Sequence, residues 1–476
     1  MMTPKEKQSE ASERRKKLNN DEEFSANKVQ IMTLDFLLHV AGIVPPNNAT
    51  PLIRFLYKVF QTVIFTLYIL ALLGQMMAVY VNWGNIPVLS STMSYTSGFL
   101  LSVILCLYFL HNKDKFTRLI DLLRNEFVAK INSKYIKFID TAERQIRLSV
   151  TLSAPFATSL GLISIVAPFL SKSSFSNFDN NTVTTDGKKW GRLMFVIWFP
   201  FAIEESPQLE IIMVLQIILM CFAVLMLVAV DATFLLLITH AAAQFKVLCA
   251  MLNDMHENIS EVELNRTKQM SPLQDTAEFN LMKDPLTSAD DITCHELGSG
   301  NSASRKSETA VLENCHMNKD PFQLYLAECI KHHQAIIEFV ANINEVVSLV
   351  TFVRIVNFPL ILCMTGFEMT QNLGNLEQFL KFASFFVAAL YLIGGYCLFG
   401  QQVIDESEKV QLAFYSTDWY SQTAGYKSLL PLAIMRASRP VTVRAGVFFD
   451  LSLLTFSLLV NASYRYFTML IQLHDS

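Results

Sequence analysis

Charge is what this 476-residue chain has least of: Asp, Glu, Lys and Arg make up 17% of it, and none occurs between Val59 and Asn112. With 52% hydrophobic residues, 36 Phe and a mean hydropathy of +0.33, it holds more apolar surface than soluble cores of this length bury. That excludes a string of soluble domains and leaves a polytopic membrane protein. Positive charge is not in excess either, and a net charge of -4 over this length offers no electrostatic footprint for nucleic acid. The eight cysteines have no regular spacing, which excludes a disulfide framework. An apolar h-region and a small-residue cleavage site are both missing from MMTPKEKQSEASERRKKLNNDEEFSANK, so the first apolar span is expected to act as an uncleaved signal anchor. No nucleophile, base and orienting group stand in a context that would let them react. CHELGSG at 294 and CH at 315 lack the spacing of a zinc module, GSGNSA has no preceding strand to make it a phosphate loop, and His332 and His333 read as part of a solvated helix face. No enzyme activity, metal or cofactor is expected.

What the chain does have is a series of long apolar runs. A helix needs about 20 largely apolar residues to cross a hydrocarbon core roughly 30 Å thick. The uncharged stretch from Val59 to Asn112 is too long for one crossing and is broken by VNWGNIP, which predicts a tight hairpin of spans 1 and 2. Span 3 is expected at Leu148–Leu170 with a kink at Pro155, span 4 from Ile211 to about Phe245, span 6 at Phe382–Ile404 and span 7 over 449–473. Span 5, VVSLVTFVRIVNFPLILCMTGF, is interrupted by Arg354 and Pro359, which only packing inside a bundle would tolerate. Arg354 would there pair with Asp231 of span 4, an expensive arrangement when buried. The expected architecture is all-α with seven transmembrane helices. It comprises an N-terminal segment 1–55, helices 1–4 over 56–252, a long and largely disordered polar loop over 253–320, and helices 5–7 over 321–476 with a helical anchor region and a pore helix. No internal repeat of the transporter kind is visible.

Loop charge orients these spans, because cytoplasmic loops retain Lys and Arg. Residues 1–55 carry eight and the segment between spans 2 and 3 carries nine, whereas VNWGN and the segment from Met369 to Leu380 carry none. The alternation predicts a cytoplasmic N-terminus and an extracellular C-terminus, opposite to the G-protein-coupled arrangement. Asn180, in a glycosylation sequon, and Trp83, Trp190 and Trp198 fall on the outer side; the sequons at Asn48, Asn258 and Asn265 fall inside and should stay unmodified.

The last span is the most informative. Projected as a helix, Asp450, Ser457, Asn461, Arg465, Thr468 and Gln472 fall within an arc of roughly 80°. Either this face lines an aqueous path, with Met469 and Leu473 as an apolar constriction that gates by dewetting, or its polar groups bond to neighbouring helices as bundle glue. A pore would need several copies of the helix around a common axis, and therefore oligomerisation.

The stretch YSTDWYSQTAGYKSLLPLAIMRASRPVTVRAGVFFDLSLLTFSLLVNASYRYFTML resembles the C-terminal signature of the insect odorant receptors, through Tyr415, Trp419, Arg436, Arg439, Pro440 and Gly446, and through Phe456, Ser463, Tyr464 and Phe467. LAECIKHHQAIIEFVANINEVVSLVTFVRIVNFPLILCMTGFEM, YCLFGQQVIDES, WFPFAIEESP and LHVAGIVPP resemble other parts of the same family. The resemblance implies a tetrameric, odorant-gated, non-selective cation channel in the plasma membrane of olfactory neuron dendrites. NASYRYF and the fifth-span block suggest an odour-tuned subunit rather than the shared co-receptor with which such subunits assemble. A heterotetramer with that co-receptor is implied, with a homotetramer left open. It also implies a gate and pore wall at Asn461, Thr468, Met469, Gln472 and Leu473. A pocket for a small volatile hydrophobic ligand is implied at Tyr95 on span 2, Thr158 and Gly161 on span 3, Met213 and Gln216 on span 4, and Phe385, Phe386 and Ala389 on span 6. Arg465 departs from the family, which more often has a small hydroxyl residue there. A cation facing a cation path is unfavourable, so Arg465 either reaches to the outer interface or belongs to a subunit supplying a minority of the pore wall.

Overall fold

The computed structural model describes residues 50–83, 86–129, 131–152, 197–198, 208–262, 264 and 320–475. Helix α1 (Pro51–Val81) starts where Thr50 Oγ1 accepts the Ile53 amide at 3.4 Å and where Pro51 has no amide to leave unsatisfied. A break at Asn82 and Trp83 separates it from α2 (Ile86–His111), so the expected hairpin forms. Helix α3 (Lys113–Leu122) continues into a π-helical turn, Leu123–Val128, and α4 is helical over 136–152. Three long helices follow, α5 (Gln208–Asn253), α7 (Pro321–Gln371) and α8 (Leu376–Tyr415), with a short α6 over 255–262 after α5. Helix α9 (Ala424–Ala437) and a two-stranded antiparallel hairpin, β1 (Arg444–Ala445) and β2 (Phe449–Asp450), lead into α10 (Leu453–Asp475).

Five of these helices are long and apolar enough to cross a bilayer. They correspond to expected spans 1, 2, 4, 5 and 6. Residues 153–170 of expected span 3 lie outside the described set, as do Asn180, Thr158 and Gly161. Expected span 7 is a helix of 23 residues, α10, but it is not among the five because its polar stripe lowers its hydropathy. Span 5 differs from its sequence reading in a useful way: Arg354 and Pro359 do not interrupt it, and α7 runs unbroken for 51 residues. At about 1.5 Å per residue it extends to roughly 75 Å, more than twice a hydrocarbon core.

The surface of α1 states its environment. Ile64, Tyr68, Ala71, Gln75 and Ala78 form a buried stripe at helical spacing, yet Leu52, Phe55, Leu56, Leu70 and Leu73 on the other side are exposed. A helix apolar on its inner and outer faces suits lipid rather than water. Its inner stripe joins Tyr95, Phe99 and Val103 of α2 and Leu219, Met220 and Ala223 of α5 in one core. Tyr68 anchors that core by donating to the Leu219 carbonyl at 3.1 Å, which satisfies its hydroxyl in an apolar setting.

The described residues form two compact units, one within Met1–Ala243, Phe339–Val403 and Thr442–Ser476, the other within Gln244–Glu338 and Ile404–Val441. In the second unit His333 is buried between the rings of Phe245 and Phe414, at 6.2 and 5.9 Å. This corrects the solvated face expected from its charged neighbours, because the helix turns His333 inward while Lys331 and Gln334 face out. Asn258 in the same unit is buried and donates to Tyr325 Oη at 2.7 Å, so its sequon offers no accessible amide.

In the first unit α4 buries Ile139, Ala142, Glu143 and Ile146. Burial pushes the Glu143 carboxyl up to about 7, with Asp140 adding to the shift and Arg147 opposing it. A carboxyl raised in the fold contributes stability that is complete below its ordinary value of 4.5 and is lost as pH rises through about 7. Glu143→Gln is therefore expected to change thermal stability little at pH 4.5 and to raise it above pH 7. The parent overtaking the variant at alkaline pH would remove this assignment.

Candidate functional site

The last helix is positioned by the turn before it. Gly446, at φ +65°, closes the β1–β2 hairpin in a conformation that residues with a Cβ rarely adopt. Its amide donates to the Ser348 carbonyl at 2.9 Å, and the Leu451 amide donates to Val443 at 2.8 Å. The Ser452 hydroxyl then caps α10 by accepting the Thr455 amide at 3.2 Å. Asp450 consequently belongs to β2, opposite Arg444 at 3.6 Å, and not to the helical stripe expected of it. The hairpin uses residues that a continuous helix would have carried.

The rest of the stripe remains. Thr455, Leu459 and Ser463 form the buried side of α10, whereas Ser457, Asn461, Arg465 and Gln472 are exposed on the opposite side and Thr468 is half-buried. Among the described residues, the side chains of Ser457, Asn461, Arg465 and Gln472 make no hydrogen bond or ion pair, and Thr468 donates only to the Arg465 carbonyl of its own helix. Among the described residues, then, the stripe meets no partner on a neighbouring helix of the kind bundle glue would require. Met469 is 59% exposed on the same flank; the side chain of Leu473 lies outside the described set.

Behind α10 lies a cavity of about 380 Å³. Its walls are Leu362 and Gly366 of α7, Phe386 and Leu390 of α8, and Val460 and Phe467 of α10, and Thr370, Ser463 and Tyr464 bring hydroxyl groups to the lining.

The expected ligand residues divide between two places. Tyr95 packs edge-on against Phe385 at 5.5 Å beside the α1–α2–α5 core. Gln216 is buried one turn from Leu219, and Met213 is half-buried on the same helix. Phe386, next in sequence to Phe385, lines the cavity behind α10 instead, and Ala389 is half-buried one turn further along α8. Near Tyr95 lies a polar group that the sequence reading missed. Lys381 sets its ammonium 5.1 Å from the Tyr95 ring centroid, a favourable cation–π distance. Glu368 accepts hydrogen bonds from Ser90 and, at 3.3 Å, from Asn372. Glu368 and Lys381 are both buried; the available signal was a pair of opposite charges on either side of the loop between α7 and α8.

A second buried polar group matches expectation. Asp231 on α5 and Arg354 on α7 form an ion pair with both side chains only 6% exposed. Tyr396 of α8 donates to Asp231 Oδ1 at 2.9 Å and lays its ring 5.3 Å from the guanidinium. Three helices are thus tied at one point by complementary charge and a shared acceptor. Tyr396 itself was not anticipated.

Comparison with known proteins agrees with this architecture. The chain matches the 7tm odorant receptor family over residues 85–464. It is 30% identical over 160 residues to odorant receptor 10 of Aedes albopictus, covering 34% of this chain and 42% of that protein. It is 31% identical over 142 residues to odorant receptor 67a of Drosophila melanogaster, covering 30% and 35%. The matched stretch thus spans less than half the length of these curated relatives. Its fold resembles that of the insect olfactory receptor OR5 from Machilis hrabei, solved in complex with eugenol, with a TM-score of 0.70 over 93% of this chain and 97% of that one, at 15% identity. The family match covers well over half of the sequence, and the chain belongs to the insect odorant receptor family, whose members are multi-pass membrane receptors of olfaction and not enzymes.

Proposed function

We propose that this chain is the odour-tuned subunit of a heteromeric, ligand-gated, non-selective cation channel. The observation that carries the proposal is the outward polar stripe of α10, whose side chains find no partner on another helix of their own protomer among the described residues. Such a stripe is costly against lipid and acceptable against water, so copies of α10 gathered around a common axis would line an aqueous path. The apolar runs support seven spans, and the loop charges support a cytoplasmic N-terminus and an extracellular C-terminus. Exposed Leu412, Tyr415, Leu432 and Met435 in the second unit supply apolar surface for subunit assembly. The proposed partners are a co-receptor subunit and a small volatile hydrophobic ligand, and the proposed location is the plasma membrane of sensory dendrites.

The proposed odorant residues are Tyr95, Thr158, Gly161, Met213, Gln216, Phe385, Phe386 and Ala389. Eugenol is bound by the Machilis hrabei receptor, which supports an uncharged aromatic or aliphatic ligand class here. The test is expression with and without a co-receptor, with currents recorded against an odour panel and Met469 and Gln472 substituted in parallel. Gln472→Glu is expected to raise cation selectivity and Met469→Ala to raise basal current, each several-fold, because one adds a favourable charge to the path and the other widens an apolar constriction. Unaltered conductance and selectivity in both variants would overturn the pore assignment.

A further inference from the structure

The cavity behind α10 is separate from the Tyr95–Phe385 cluster, and its chemistry is narrower than its size. At about 380 Å³ it falls within the range of small-molecule pockets, roughly 300–1,000 Å³. Among the described residues no charged side chain lines it, so an ammonium or carboxylate inside would lose hydration without gaining a counter-ion from them. Two of its three hydroxyl groups, Ser463 and Thr370, are also biased, while Tyr464 stands at the exposed rim. Ser463 already donates its proton to the Leu459 carbonyl at 2.8 Å, and Thr370 donates to the Phe367 carbonyl at 2.7 Å. Each retains a lone pair, so both present acceptors to whatever enters. The occupant that fits is uncharged, mostly hydrocarbon and able to donate one hydrogen bond.

The space has a structural cause. A Cβ on Gly366 would stand 3.4 Å from the Phe467 ring and 3.8 Å from the Phe386 ring. Any longer side chain there must enter the cavity between them. Thr370, Leu373 and Tyr464 at its rim are exposed, among other exposed apolar residues such as Leu376, so the approach suits a molecule dissolved in the bilayer. Ser463 and Phe467 form the back of α10, and Asn461 and Thr468 lie on its opposite flank.

We propose that this cavity is a modulatory site for neutral hydroxyl-bearing hydrophobes of the medium-chain alcohol class, which act on the last helix from behind. The gating clause rests on the channel reading above; the binding clause does not. An occupant changes the position of α10 only by binding one arrangement better than another.

The test uses a diazirine analogue of 1-octanol, photolysed with the full chain and its co-receptor in phospholipid vesicles, with adducts mapped by mass spectrometry. Expected are saturable adducts on Met369, Tyr464 or Phe467, displaced by 1-octanol and not by octanoate. Gly366→Leu should reduce labelling about tenfold or more at fixed probe concentration. Val460→Phe, which fills the cavity from α10, should do the same if Gly366→Leu does not fold. Unsaturable labelling spread over the lipid-facing residues of α1, or labelling unchanged by either filled cavity, would overturn the site. Equal competition by octanoate would overturn the hydroxyl assignment. In recordings, 1-octanol should shift the odour-evoked current at least about twofold in the parent and not in Val460→Phe. Saturable labelling with no shift would overturn the modulatory role alone, and a parent without any current would count against the channel reading while the adducts still decide the site.

Discussion

Asp231→Ala is expected to destabilise the fold by about 3–5 kcal/mol, because it strands a buried guanidinium. Arg354 and Asp231 are each 6% exposed, and Tyr396, which loses its acceptor in the variant, is buried as well. Bulk solvent does not reach the pair, and aromatic rings stand beside it: Phe234 packs edge-on to Tyr396 at 6.4 Å and stacks on Phe116 at 5.5 Å. Asp231→Asn keeps an oxygen for Tyr396 but removes the charge, so it should fall between parent and Asp231→Ala. The decisive comparison is Asp231→Leu combined with Arg354→Met. Replacing both partners by apolar groups of similar volume avoids any unpaired charge, and the double variant should recover most of what either single variant loses. Surface expression and thermal unfolding in detergent would measure these three variants together with the Asp231→Leu and Arg354→Met singles. Full surface expression and unchanged melting of Asp231→Ala, or a double variant no better than the singles, would show that the pair is not the tie its geometry implies.

That ion pair was legible in the sequence because two charges in otherwise uncharged runs have few ways to be satisfied. The same scarcity exposed the α1–α2 hairpin: fifty-odd residues without charge cannot be one helix, and VNWGNIP is the only break in them. The polar stripe of α10 was legible through helical periodicity, which survives where burial does not decide residue type. Three things were not. Asp450 fits the helical projection as well as Ser457 does, and only the hairpin closed by Gly446 and the Leu451 to Val443 hydrogen bond takes it out of the helix. His333 lies among polar neighbours in sequence, yet its burial is set by Phe245 and Phe414, each some 80 residues away or more along the chain. The cavity behind α10 depends on Gly366, Phe386 and Phe467 meeting across three helices, and no local pattern encodes a space between distant elements. Periodicity reports which way a side chain faces; it does not report what stands opposite.

The pore reading and the fold meet at Gly400. A Cβ there would overlap the Leu451 carbonyl oxygen and come within 2.5 Å of the Leu451 Cβ. The obstruction is backbone rather than the end of a flexible side chain, and it cannot yield locally. Leu451 is fully buried, its amide is tied to Val443, and two residues later the Leu453 amide donates to Gln401 Oε1 at 3.3 Å. Gly400→Ala must therefore push the start of α10 away from α8, at an expected cost of about 1–3 kcal/mol for overpacking, set against the gain in helix propensity. Gly395, five residues earlier in the same helix, has no neighbour among the described residues within 4 Å of the position its Cβ would take. Gly395→Ala should gain the propensity term alone and stabilise by up to about 1 kcal/mol. The two alanines thus have opposite expected signs in one helix, and thermal unfolding of the purified variants separates them. If α10 lines the pore, Gly400→Ala should also lower odour-evoked current beyond what its surface expression explains, since it displaces the polar stripe as a body, while Gly395→Ala leaves current per channel unchanged. Equal melting shifts for the two variants would mean that α8 does not hold the last helix at Leu451.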